Sequence, residues 1–482
     1  MIGTPASITA RCEKVLQLFQ QRIGRWWRRL TSGTTNRSIF GAAVTVGGAT
    51  GLVSLIAMSR ELIVAAEFGT SNALDAFLVA IVLPMFVINA IGGSFAAALI
   101  PTFIRVREHE GKDQAQHVFS SVMILGALFL MTASLLLALA NSLLLPVLTS
   151  GFDQDKFLLT QQLFLLFVPA IFFGGMASMW SAMLNAEERF ALAALSQALI
   201  PLAAILALVA ARGSGIYALT AGVAGGYAAR FCVLGWALNR EGVSLWPRWN
   251  GLSPEVRHVV AQYLPMAAGS AILGTTVLVD RAFAAALAAG SVATLDFGAK
   301  VGLLITGLGA AALGTAVLPH FSRMVANAEW DQVRHTIRTF SSMIVLASIP
   351  IVGILLVFSR PIVEIIFQRG AFTESDVSQV AWVQSLYSLQ IPFFGMGILL
   401  ARLLSSLGAN HFLLWQASIC LAINMVLSFV LSRAIGVAGI SLSTSLMYVA
   451  AFCILSFMAS RRLGDAERGR CRSSELARRT LC

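Results

Sequence analysis

The chain has 482 residues, of which 57% are hydrophobic and only 12% charged, with a mean hydropathy of +0.80; a soluble domain carries roughly 25% charged residues. This excludes a soluble globular protein. Apolar stretches long enough for helices of about 20 residues recur along the whole chain, so a single-span or peripheral protein is excluded as well. The net charge of +11 does not point to nucleic acid, because most of the basic residues lie in the two tails and in alternate loops, where they set membrane orientation.

Residues 1–38 form a basic tail with Arg11, Lys14, Arg22, Arg25, Arg28, Arg29 and Arg37. Its RIGRWWRRL stretch mixes aromatic and basic side chains as an interfacial helix on anionic lipid would, and has no cleavage site of a secretory signal. About twelve spans follow, predicted near 39–58, 76–104, 118–145, 161–184, 191–211 and 216–238, then 259–286, 297–320, 339–358, 379–407, 412–433 and 437–460. Residues 239–258 link the two sets, and residues 461–482 are a second basic tail. An even number of spans puts both tails on one side. The Lys and Arg bias makes that side cytoplasmic.

The two sets of six spans are one text written twice. Arg60 and Asp75 recur as Arg281 and Asp296 at an offset of 221 residues, and Tyr227, Phe231 and Cys232 recur as Tyr448, Phe452 and Cys453 at the same offset. Shared Leu, Ala and Gly would follow from composition alone; recurrence of Arg, Asp, Tyr and Cys in order does not. Because six is even, the lobes 39–238 and 259–460 are parallel repeats, an all-α, two-lobe architecture suited to alternating access with a substrate site between the lobes.

Little else carries chemistry. There is no phosphate-binding glycine loop, all six histidines fall near the cytoplasmic span ends, and no nucleophile-and-base or CxxC metal pattern occurs. The chain is therefore read as no enzyme, with no cofactor beyond Na+ or H+ as the coupling ion. What stands out is Arg60, Glu61, Glu67 and Asp75 in the first lobe and Asp280, Arg281, Asp296 and Lys300 in the second, each costly if it faces lipid. Arg60 and Glu67, seven apart, share a helix face, and Asp296 and Lys300, four apart, can pair. Arg230 and Arg402 lie close enough to the cytoplasmic span ends to snorkel. The segment RPIVEIIFQRGAFTESD, 360–376, reads as an interfacial connector.

Three stretches, SRELIVAAEFGTSNALDAFLVAIVLP, LVDRAFAAALAAGSVATLDFGAKV with its GTAVLPHFSRM, and PIVEIIFQRGAFTESD, resemble the MurJ/MviN family of lipid II flippases, within the MATE-like superfamily. The resemblance covers about residues 40–460. It implies transport, without ATP, of a polyprenyl-pyrophosphate-linked saccharide across the bacterial inner membrane, by rocking of two lobes around a cationic cavity. Lipid II, for peptidoglycan, is the first expectation; an exopolysaccharide or other lipid-linked oligosaccharide comes next, and a cation-coupled multidrug-type exporter after that. Further partners would be membrane lipids and cell-envelope biosynthesis proteins.

By that resemblance Arg60 is similar to a cavity arginine that meets the pyrophosphate, with Glu61 beside it, and Lys300 stands where an arginine is usual. Together with Asp75 and Arg281 these form the expected substrate set. Asp280, Asn424 and Ser428 match the positions of a proposed sodium site. The chain departs from the family at Ile88, Asn89 and Gly92, where paired arginines and a glutamate are usual, and at Ser428, where an aspartate is.

Overall fold

In the computed structural model, residues 34–187, 189–249, 251–327 and 329–479 are described. Most of the N-terminal tail, including RIGRWWRRL and its arginines up to Arg29, lies outside them. Among the described residues the chain is helical, and twelve helical segments are long and apolar enough to cross a membrane, in agreement with the hydropathy pattern. The first lobe holds α1 (Thr34–Phe68), α2 (Asn72–His109), α3 (Lys112–Leu139), the short α4 (Asn141–Leu148), α5 (Gln154–Ala186), α6 (Phe190–Leu195), α7 (Leu199–Ala210) and α8 (Gly215–Arg240). The second holds α9 (Pro254–Ala285), α10 (Ser291–Ala326), α11 (Trp330–Val357), the short α12 (Ser359–Phe367), α13 (Glu374–Ser388), α14 (Ile391–Ser406), α15 (Asn410–Ile435) and α16 (Val437–Arg479).

Helix starts follow local chemistry. Ser71, Asp153 and Ser253 each accept a hydrogen bond from a backbone N–H in the first turn of α2, α5 and α9, and Thr373 with Asp376 builds a capping box on α13. Two spans are broken. The fifth passes through a 3-10 turn at Ser196–Ala198 before Pro201, and the tenth is interrupted at Leu389 and Gln390 just before Pro392, which sits in the first turn of α14. Pro169, by contrast, leaves α5 continuous.

Core packing shows how the lobes meet. At the end of the bundle away from the 239–258 linker, one apolar cluster joins both lobes: Leu74, Phe77 and Phe167 pack in the same core as Val292, Phe297, Phe367 and Phe372. Toward the linker end one core, around Phe119 and Met183 of the first lobe, takes in Val256 and Val259 from the start of α9, and another lies in the second lobe around Phe321 and Leu403. Along one side, α2 also packs on α9, through a hydrogen bond of 2.9 Å between Ser94 and Ser270 and an edge-to-face contact of Phe95 with Tyr263.

The linker is docked rather than free. The Gln116 side chain donates to Ser244 O and accepts from Ser244 N, and the Ser120 hydroxyl does the same with Arg248. Residues four apart on α3 therefore hold two backbone sites of the strap.

Candidate functional site

Apolar helices leave few places for charge, and here the charges converge between the lobes. A cavity of about 380 Å³ lies between α1, α2 and α8 of the first lobe and α9 and α10 of the second, lined by Arg60, Glu61, Asn89, Tyr227, Arg281, Asp296 and Lys300 on a largely apolar wall that also holds Ser270. Its polar groups form one chain. Arg60 donates to Glu61, Lys300 Nζ stands 3.3 Å from Glu61 and 2.9 Å from Asp296, and Arg281 donates to Asp296 at 3.0 Å and to the Leu78 carbonyl of the first lobe.

The i, i+4 pairing of Asp296 with Lys300 is the one that sequence spacing predicts. The cross-lobe pair Lys300–Glu61 is visible only in three dimensions. Three cations against two carboxylates leave the chain of charges with one net positive charge, in surroundings where charge interactions are stronger than in water.

Asp75 is not among the lining residues. It is 1% exposed at the contact between the lobes, where its carboxylate accepts from the backbone N–H groups of Gly290, at 2.7 Å, and Ala293, at 2.8 Å, and pairs with Lys156 Nζ at 2.8 Å. It therefore satisfies donors at the start of α10 from the opposite lobe. Lys156 also donates to Asn72 and lies over the Phe152 ring. The reason for the displacement is position: Asp75 follows the N-cap of α2, at the tip of the bundle, and points along the helix end instead of into the cavity.

The same tip brings the 360–376 segment against the first lobe. Ala371 N donates to Ala66 O at 2.8 Å, Thr70 donates to Asp376, and Gly370, at φ 58°, leaves no room for a side chain because a Cβ there would meet Ala66 O at 2.2 Å. Read from sequence as an interfacial connector, this segment is part of the seal between the lobes. Glu67, expected to share the Arg60 face, is exposed and does not line the cavity. Arg230, expected to snorkel, is 8% exposed. It falls on the buried stripe of α8 with Leu219, Val223, Tyr227 and Leu234, and its Nε donates to Ser196 Oγ at 3.3 Å.

A second polar cluster lies inside the second lobe. Asp280 accepts from Thr444 at 3.1 Å, Asn424 stands beside it, and Ser428 shares a 2.6 Å hydrogen bond with Ser443. Asp280, Asn424 and Ser428 are thus brought together, with Thr444 and Ser443 added by α16. Among the described residues, Asp280 Oδ1 and both polar atoms of the fully buried Asn424 have no hydrogen-bond partner. Unpartnered buried oxygens beside a carboxylate form an oxygen-rich donor set of the kind a hard cation takes.

Two six-helix lobes sealed at one end around a charged central cavity define the chain as a multi-pass membrane protein of the MATE-like fold class. The sequence profile described as "Lipid II flippase MurJ" matches residues 64–477, and the chain belongs to that family. Similar sequences include the "Probable lipid II flippase MurJ" of Rhizobium meliloti, 28% identical over 73% of this chain and 67% of the relative, and that of Synechocystis sp., 25% identical over 91% and 84%. Among solved structures, the fold resembles lipid II flippase MurJ in an inward closed conformation, with TM-score 0.74, 20% identity and coverage of 88% of this chain and 90% of that one. It also resembles an inward-facing multidrug resistance MATE family transporter, with TM-score 0.72, 12% identity and coverage of 88% and 99%.

Proposed function

We propose that the protein is a flippase that carries lipid II, a polyprenyl-pyrophosphate-linked saccharide, across the bacterial inner membrane by alternating access, with both termini in the cytoplasm. The carrying observation is the interlobe cavity, in which Arg60, Arg281 and Lys300 stand among apolar walls with their charge only partly offset by Glu61 and Asp296. Such a site holds an anionic headgroup moderately, as a cycle of capture and release requires. Membership of a family described as lipid II flippase supports the substrate.

The seal at Asp75, Gly290 and Gly370 closes the cavity on the side away from the linker, and substrate enters from the linker side. Lys300 bridges Glu61 of one lobe and Asp296 of the other, so an arriving anion competes for Lys300 and loosens the bridge between lobes. Asp280, Asn424, Thr444 and Ser428 are the groups that would hold a coupling cation, Na+ or H+, whose binding supplies the driving force. The reading includes no catalysis by this chain; contacts with cell-envelope biosynthesis proteins would run through the basic tails.

The test is rescue of cells depleted of their own lipid II flippase, with lipid II translocation measured beside surface polysaccharide export. Restored lipid II translocation, lost again in Lys300→Gln, is expected. Good expression with polysaccharide export restored and lipid II translocation unchanged would overturn the substrate assignment.

A further inference from the structure

The cavity charges leave an imbalance. Three cations and two carboxylates supply one net positive charge, whereas a doubly substituted pyrophosphate carries a negative charge on each phosphorus. Asp280 faces Thr444 and Asn424 within the second lobe, does not line the cavity, and stays outside this count. A second uncompensated cation close to the cavity would match the second charge of a pyrophosphate, and this inference rests on the pyrophosphate reading.

Arg230 has the properties of that cation. It does not itself line the cavity but lies one turn along α8 from Tyr227, which does, on the same buried stripe of that helix. Among the described residues it has no carboxylate partner, and its Nε donates to the Ser196 hydroxyl at 3.3 Å. A buried, unpaired charge inside a membrane bundle is costly, and one neutral hydroxyl does little to offset it. A purely structural role at the Ser196–Ala198 turn could be filled by a neutral donor.

We propose that Arg230 supplies the second net positive charge of the anion site and so sets its preference for a pyrophosphate over a monophosphate headgroup. The first lobe then contributes Arg60 and Arg230, and the second Arg281 and Lys300.

The experiment measures binding of farnesyl pyrophosphate and farnesyl phosphate at about pH 5, where they carry roughly two and one negative charges, to the purified full chain in detergent, with elution profile and melting temperature as folding checks. Wild type should prefer the pyrophosphate. Arg230→Gln should cut that preference by about tenfold, roughly the effect of one charge contact of ~1.4 kcal/mol, with monophosphate binding little changed, while Arg230→Lys should keep most of it. Ser196→Asp, which gives the guanidinium a carboxylate partner without removing it, should lower the preference too. Asn89→Arg, placing a cation directly on the cavity wall, should restore it in Arg230→Gln.

Folded Arg230→Gln or Ser196→Asp proteins with the wild-type preference would overturn the assignment of Arg230 alone. A wild-type protein indifferent to the two probes would overturn the pyrophosphate reading beneath it.

Discussion

Asp75 and Asp296 occupy the same place in the two copies of the repeat, near the start of the second helix of each lobe, yet they do opposite work. Asp296 turns into the cavity, where Arg281 and Lys300 hold it and water can reach it. Asp75 is enclosed, neutralised by Lys156, and reaches across the boundary to cap α10. The difference is that the first lobe brings Lys156 to its aspartate from the start of α5, whereas the cations at Asp296 come from α9 and from within α10 itself. Duplication supplied identical residues; their neighbours divided them into a seal and a site.

Breaking the seal should cost most stability. Asp75→Ala leaves Lys156 buried without its carboxylate, held only by Asn72 and the Phe152 ring, and should lower stability by about 3–5 kcal/mol, read as a large drop in melting temperature of the detergent-solubilised protein. Replacing both partners, Asp75→Leu with Lys156→Met, should recover much of the loss. If Asp75→Ala melts like wild type, the buried pair does not hold the lobes.

Breaking the site should cost transport instead. Asp296→Asn and Lys300→Gln each remove a charge-assisted contact of about 1.5–3 kcal/mol, equivalent to roughly a ten- to hundredfold fall in lipid II translocation. Melting temperatures should change far less than in Asp75→Ala, because these groups border a wet cavity.

A third substitution addresses the seal through backbone alone. Gly290 sits at φ 83°, and a Cβ there would meet Thr70 O at 2.3 Å, so Gly290→Ala adds strain of about 1–3 kcal/mol and a clash only while the lobes touch. Spin labels on exposed Glu67 and Glu374, in a background free of other reactive cysteines, should show longer distances in this variant; an unchanged distribution would show that the tip does not gate. Smaller still, Ser428→Asp gives the cluster around Asp280 a second carboxylate and should make the melting temperature rise with Na+ where wild type shows less response. Glu67→Gln, on an exposed position, should change stability by less than about 0.5 kcal/mol and leave transport intact.

Much of this was legible in one dimension. Twelve spans, the two-lobe division and the i, i+4 pair of Asp296 with Lys300 follow from hydropathy and spacing. The buried stripe of α8 was also present, since Leu219, Val223, Tyr227 and Leu234 recur at helical intervals with Arg230 among them, but closeness to a span end favoured snorkelling. Lys156 gave no signal beyond that of a loop lysine, because its partners, Asp75 and Asn72, are more than eighty residues away. Thr444 and Ser443 were hidden for the same reason: hydroxyls in apolar helices are common, and only the apposition of α9, α15 and α16 gives these two a carboxylate and a serine to meet.

Local and statistical properties determine a membrane chain's spans, because the bilayer demands about 20 apolar residues for each and any long interval of charge interrupts them. The duplication, too, is a fact of the sequence. What tertiary structure alone decided is which charges share water and which share a partner. In a medium that penalises every unpaired charge, the fate of each ionisable residue depends on neighbours brought from other helices, and so Arg60, Glu61 and Lys300 became a site while Asp75 became its seal.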